Sequence, residues 1–175
     1  YASASFPPGR PLLEAVHDLM ARVHHDFTYD TGFSTVSTPL SEVLASRRGV
    51  CQDFAHLAIA SLRSLGLAAR YVSGYIETEP PPGQHKQPGT DESHAWFSVY
   101  LPDVCWHDFD PTNNQIPLDR HITTAWGRDY ADVTPLKGVI FGGDHGRQPQ
   151  VAVDLERMPE PGETAAAATG SAPSM

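Results

Sequence analysis

Arg48-Gly49-Val50-Cys51-Gln52-Asp53-Phe54-Ala55-His56-Leu57 sets a cysteine where a loop becomes a helix. The helix is legible from its apolar face: Phe54, Leu57, Ala58, Leu62 and Leu65 recur at helical spacing, and Gly66 closes it. Downstream, His94-Ala95-Trp96 opens a predicted strand, and Asp110-Pro111-Thr112-Asn113 breaks the end of the next. Cysteine, histidine and aspartate thus follow in order, each at the expected end of a different element.

Upstream of that helix, Pro11 suits a first helical turn, and Leu12, Val16, Leu19, Met20 and Val23 share one face of a helix ending at His24-His25-Asp26. Phe27-Thr28-Tyr29 reads as extended and Asp30-Thr31-Gly32 as a turn. Thr38-Pro39 predicts a short helix carrying Leu40, Val43 and Leu44, with Thr38 as its cap. Beyond Gly66, the β-branched and aromatic residues between Leu67 and Glu77 predict a strand. The Pro- and Gly-rich stretch from Glu79 to Glu92 predicts a loop of a length uncommon away from functional sites or disorder. Strands follow at His94–Leu101 and Cys105–Asp110, joined through Pro102-Asp103, with two more expected at His121–Trp126 and Val151–Leu155. Helices first and mostly antiparallel strands after make the fold class α+β. Residues 1–158 form the expected catalytic domain, and 159–175 an expected disordered tail.

The 175 residues carry a formal net charge of −9 and 40% hydrophobic residues. That charge, with no basic cluster beyond Arg47-Arg48, argues against a nucleic-acid partner. No apolar run reaches the ~20 residues that span a bilayer, and no secretory leader is visible. The chain opens on Tyr1 rather than Met, which reads as a fragment or processed product. Two cysteines make no disulfide scaffold; a Cys51–Cys105 bridge would consume the thiol of interest, so both are expected free, in a reducing, cytoplasmic setting. Oligomeric state is left open.

A helix N-terminus favours the thiolate form of a thiol placed there, through unpaired N–H groups and the helix dipole. An imidazole at His94 would hold the proton and return it to a leaving group. A carboxylate at Asp110 would fix the imidazole tautomer. Strand alternation puts Asp108 on the same face, so either carboxylate fits that role. Taken singly, each residue has a plainer reading as a buried thiol, a structural histidine or a turn starter.

These stretches resemble the transglutaminase-like superfamily, and within it bacterial members described as candidate cysteine proteases. The resemblance rests on Arg48 to His56, Ala69-Arg70-Tyr71-Val72-Ser73-Gly74-Tyr75, His94-Ala95-Trp96, Asp110-Pro111-Thr112-Asn113 and Trp126-Gly127-Arg128-Asp129-Tyr130-Ala131-Asp132-Val133. It runs from about Leu12 to Leu155. It implies a papain-like transglutaminase core, a Cys51–His94–Asp110 triad, and acyl transfer through a thioester on a peptide or protein substrate. Release to water would make the chain a protease or amidase; release to an amine acceptor would make a crosslink; a third reading is a non-catalytic peptide-binding module. Many members carry Gly where this chain has Cys105, which is read as a small buried structural thiol. The family's separate N-terminal domain is not seen in this stretch.

The Cys51 N–H is the first expected oxyanion donor. Tyr29, Gln52 and Trp96 are further oxyanion or cleft candidates, although Tyr29 reads more readily as a packed core tyrosine. His17, His24 and His25 lie on or beside the first helix without His-Glu-x-x-His or paired-cysteine spacing, so no metal is expected, and no cofactor. His56 lies more than a turn beyond Cys51, too far along the helix to serve the thiol. Gly142-Gly143-Asp144 lacks the strand–loop–helix setting of a phosphate cradle. Arg128-Asp129-Tyr130 either lines the cleft or makes a local ion pair.

Overall fold

Apolar residues at helical spacing give the two long helices their buried faces. Helix α1, Leu12–Asp26, buries Ala15, Val16, Leu19, Met20 and Val23. Helix α3, Cys51–Ser64, buries Phe54, Ala55, Leu57, Ala58, Ile59 and Leu62. Between them lie β1 (Thr28–Tyr29), α2 (Leu40–Ser46) and β2 (Arg48–Gly49). Four antiparallel strands follow: β3 (Ala69–Ile76), β4 (Glu92–Leu101), β5 (Cys105–Phe109) and β6 (His121–Gly127), in sheet order β5-β4-β3-β6. The computed structural model describes residues 1–80, 82–83, 86, 90–102, 105–134 and 152–158. The architecture is α+β, with the cysteine-bearing helix packed on an antiparallel sheet.

Strand alternation divides the sheet residues between two faces. Ala95, Phe97, Val99 and Leu101 of β4 join α1 and α3 in one apolar core. Trp96 and Ser98 point the other way and are also fully buried. Their cover is a side-chain layer in which the Arg70 guanidinium lies 4.3 Å from the ring centres of both Trp106 and Trp126. No described helix is long and apolar enough to cross a membrane.

Several local expectations need correction. Helix α2 begins at Leu40 behind Pro39, and the Thr38 hydroxyl accepts from the Thr35 N–H instead of capping it. Leu65 falls past the end of α3 and is exposed. Arg48-Gly49 pairs in parallel with Thr28-Tyr29, a two-residue ladder too short for any sequence period to announce. Of the strand expected at Val151–Leu155, the described residues make one bridge, Val153 to Asp91. Cys105 is free, as is Cys51, but it is exposed rather than buried. Its φ of 71° lies in the left-handed region, where glycine carries no steric cost. The tail from Pro159, the Gly142-Gly143-Asp144 stretch and the Asp103 half of the β4–β5 turn lie outside the described residues.

Candidate active site

Cys51 is the first residue of α3 and is half-buried. Its neighbours are fixed from two sides. Asp53 reaches back to accept the Val50 N–H at 2.8 Å, and the Ser34 hydroxyl also donates to it. A side chain at Gly49 would collide with Asp53, whose Oδ2 lies 2.8 Å from where a Cβ would sit. Glycine there is what lets the carboxylate fold over the helix start. The N-cap Val50 makes no side-chain cap hydrogen bond, so the first N–H groups of the helix are not closed off by it.

The β1–β2 ladder sets Tyr29 opposite Gly49, two residues before the cysteine. Tyr29 is 48% exposed, so it is not a core tyrosine. Burial of its hydroxyl, then the nearby Cys51 and Glu92, push its pKa up to about 12, which keeps it a protonated donor at neutral pH. Tyr29 lines a cleft of about 400 Å³ together with His94, Glu77, Glu92, Asn113 and Arg120.

His94 is buried near the start of β4, and its Nε2 meets Asp110 Oδ2 at 2.8 Å. An ionised carboxylate only accepts, so Nε2 carries the hydrogen and donates it. Burial pulls the imidazole toward its neutral form. The hydrogen bond to Asp110, the nearby Cys51 and the charges of both outweigh that and raise its pKa to about 9.

Asp110 has no exposed surface. Its Oδ1 accepts the backbone N–H groups of Thr112 (2.9 Å) and Asn113 (3.2 Å). Its Oδ2 accepts from His94, from Asn113 Nδ2 (2.8 Å) and from His121 Nε2 (3.0 Å). Burial alone would raise its pKa. The hydrogen bonds from His121 and His94, the charge of His94 and the Asn113 bond together hold it well below the usual carboxylate range. Helix α1 braces the same turn, since His24 Nδ1 lies 2.9 Å from the Thr112 carbonyl.

The choice between the two aspartates is settled by partners. Asp108 accepts the indole N–H of Trp96 at 3.0 Å, while Asp110 takes the imidazole. Trp96 is fully buried and lines no part of the cleft; it packs behind His94 with ring centres 5.9 Å apart. Gln52 lines a different cavity, with Asp53, His56 and Arg63. His56 accepts the Tyr130 N–H and packs on Tyr71. Arg128 pairs locally with Asp129 and Asp132. His17 packs on Phe109.

Two site residues have no role in the sequence reading. Asn113 had an available signal, because an aspartate opening a turn accepts N–H groups two and three residues on. His121 had none, being one of nine histidines and distant in sequence from the others. His94, Asp110 and His121 offer ligand atoms within 4.8 Å of one another, a spacing at which an ion could be held. Here those atoms are already matched donor to acceptor, and an ion on both Nε2 atoms would displace the hydrogens that orient His94.

The sequence profile described as the transglutaminase-like superfamily matches residues 4–111. A Mycobacterium tuberculosis protein described as uncharacterized is 51% identical over 159 residues, covering 89% of this chain and 51% of that protein. A Mycobacterium leprae protein, also described as uncharacterized, is 38% identical over 130 residues, covering 74% of this chain and 45% of that protein. A crystal structure of a candidate cysteine protease from Cytophaga hutchinsonii aligns with a TM-score of 0.67 at 29% identity, covering 90% of this chain and 51% of that one. The chain thus spans about half the length of the curated relatives it matches.

Proposed function

The chain belongs to the transglutaminase-like superfamily, and on that premise we propose that it is a cysteine-dependent acyl-transfer enzyme that hydrolyses a peptide, amide or isopeptide bond. The observation that supports this reading is the buried His94–Asp110 pair, with a half-buried cysteine that starts a helix close enough to add to the hold on the His94 proton. A structural histidine needs neither a thiol on one side nor a carboxylate with five donors on the other.

In this reading Cys51 is the nucleophile. Its sulfur, with the proton held on His94, attacks the carbonyl carbon, and the carbonyl π pair moves to oxygen. The Cys51 N–H and the Tyr29 hydroxyl are the donors assigned to that oxyanion in this reading. The C–N bond then breaks, the His94 proton goes to the departing nitrogen, and a thioester remains on Cys51. Water attacks the thioester and gives a proton to His94. The thiolate leaves and the acid is released. Asp110 holds Nε2 throughout, which leaves Nδ1 to exchange the proton with sulfur and substrate.

Transfer to an amine is the second reading. Glu92 on the cleft wall, together with the −9 charge, favours a cationic acceptor there. One experiment separates the readings: incubation with a proteome-derived peptide library, with and without an added primary amine, followed by mass spectrometry. Hydrolysis gives new carboxyl groups and an acyl adduct on the Cys51 peptide, both lost in Cys51→Ala. Products carrying the amine would shift the assignment to transfer. Peptide binding with no adduct and no turnover above Cys51→Ala would leave a non-catalytic module.

A further inference from the structure

Asp110 is contacted by two imidazoles, and the reaction just described uses one of them. His121 lies on β6 and His94 on β4, with β3 between. They converge on Asp110 across Gly74 of β3, which pairs with His94 on one side and Thr123 on the other. A Cβ at Gly74 would lie 2.7 Å from the Trp96 ring and 2.1 Å from the Ile122 carbonyl oxygen. The β3–β6 register shifts between Ser73 and Gly74. The His121 side chain is only 3% exposed. Its ring stands edge-on to Trp96 at 5.2 Å, with the His94 ring 5.9 Å away. This is a packed, oriented donor rather than a surface histidine near a carboxylate.

We propose that His121 is a positioning residue, whose Nε2–H holds Asp110 Oδ2 and shares its charge, setting how strongly that carboxylate holds the proton on His94. The inference rests on the catalytic assignment of Cys51, His94 and Asp110. Its chemistry is competition for one oxygen. Every donor on Oδ2 draws off charge that would otherwise stabilise imidazolium at His94. Removing the His121 donor leaves Asp110 a stronger partner for His94, so His94 titrates at higher pH. Asp110 also loses one of its restraints, so proton transfer slows.

The charged and titratable groups facing His94 are named by the packing. Cys51 comes from α3, Asp110 from the turn after β5, and His121 from β6. Across the cleft lie Tyr29 after α1, Glu77 after β3, Glu92 on β4 and Arg120 before β6. Asp108 stands behind, on the Trp96 indole. Of these, Asp110 and Cys51 raise the His94 affinity for its proton, and His121 acts on it through Asp110.

The test compares the unsubstituted chain with His121→Phe, which keeps a ring and loses the donor, and His121→Gln, whose amide nitrogen can take the place of Nε2. The readout is the rate of Cys51 alkylation by iodoacetamide against pH, measured on the Cys51 peptide, with exposed Cys105 as the internal reference thiol. In His121→Phe the alkaline inflection assigned to His94 moves up by about half a unit or more, and His121→Gln brings it back toward the original. Superimposable profiles in all three folded proteins overturn the role of His121 and leave the triad standing. If Cys51 of the unsubstituted chain alkylates like Cys105 with no such inflection, the catalytic assignment itself fails, and the inference with it. Should the Phe variant not fold, nitrogen NMR of the histidine rings in the unsubstituted protein decides. A hydrogen on His121 Nε2 supports the role, and a bare Nε2 overturns it.

Discussion

His94 and Asp110 stabilise each other's charged forms, and each therefore makes folding depend on pH. The imidazole is raised to about 9 in the folded chain, against ~6.5 when unfolded. Its contribution is complete below that lower value and is lost as pH climbs through the folded one. Asp110 is depressed, so its contribution is present above ~3.9 and is lost as pH falls toward its folded value. The pair stabilises fully between about pH 4 and about pH 6.5. Thermal unfolding followed by circular dichroism should show a falling midpoint from about pH 6.5 to about pH 9, worth on the order of 3 kcal/mol. In His94→Gln that slope should vanish; a slope unchanged by the substitution would place the responsible group elsewhere. Much at this scale is legible in sequence, because the residues proposed as nucleophile, base and carboxylate are distinctive types at element ends. What sequence left undecided was which of two same-face aspartates meets the imidazole. That turns on the Trp96 indole taking Asp108, a contact across strands. Tyr29 was undecided for a similar reason, since its exposure follows from a ladder two residues long.

Long elements with a full apolar face announce themselves, and short ones do not. Helices α1 and α3 and strands β3 to β6 follow from period and composition within a residue or two at most ends. Helix α2 starts later than a Thr-Pro cap predicts because the Thr38 hydroxyl is drawn into the preceding turn. The least visible feature is the irregular pairing of β3 with β6, a property of neither strand alone. It depends on Gly74, and the requirement is steric. A methyl group there meets the Ile122 carbonyl oxygen, which is backbone and cannot rotate aside. Gly74→Ala should therefore push β6 away and carry His121 off Asp110, costing about 3 kcal/mol of stability. Urea denaturation measures the cost, and an unchanged midpoint would show that β6 yields without strain.

The last described residues, 152–158, meet the sheet and its connections at positions distant in sequence. Asp91, whose side chain is fully buried, ties three separated pieces of chain together. It accepts the Thr78 N–H at 2.7 Å and the Leu155 N–H at 2.5 Å, and pairs with Lys86 at 2.7 Å. Arg157 adds a second fastening, donating through Nε to Glu77 Oε2 at 2.9 Å and through Nη1 to Asp119 at 3.1 Å. Glu77 lines the cleft, so this returning segment braces one of its walls. Little of it is readable from the sequence, where Glu79 to Glu92 reads as a bare loop and the carboxylates that Arg157 meets stand dozens of residues away from it. The two fastenings differ in expected strength. Arg157 is 58% exposed on its side chain, so Arg157→Ala should cost little stability. Asp91→Ala leaves two backbone N–H groups and an ammonium without their acceptor in a buried place, and should cost about 2–3 kcal/mol. It should also release 152–158, so that trypsin cuts after Arg157 sooner than in the unsubstituted chain. A cutting rate in Asp91→Ala equal to that of the unsubstituted chain, with an unfolding midpoint no lower than that of Arg157→Ala, would mean that the buried carboxylate does not hold this wall in place.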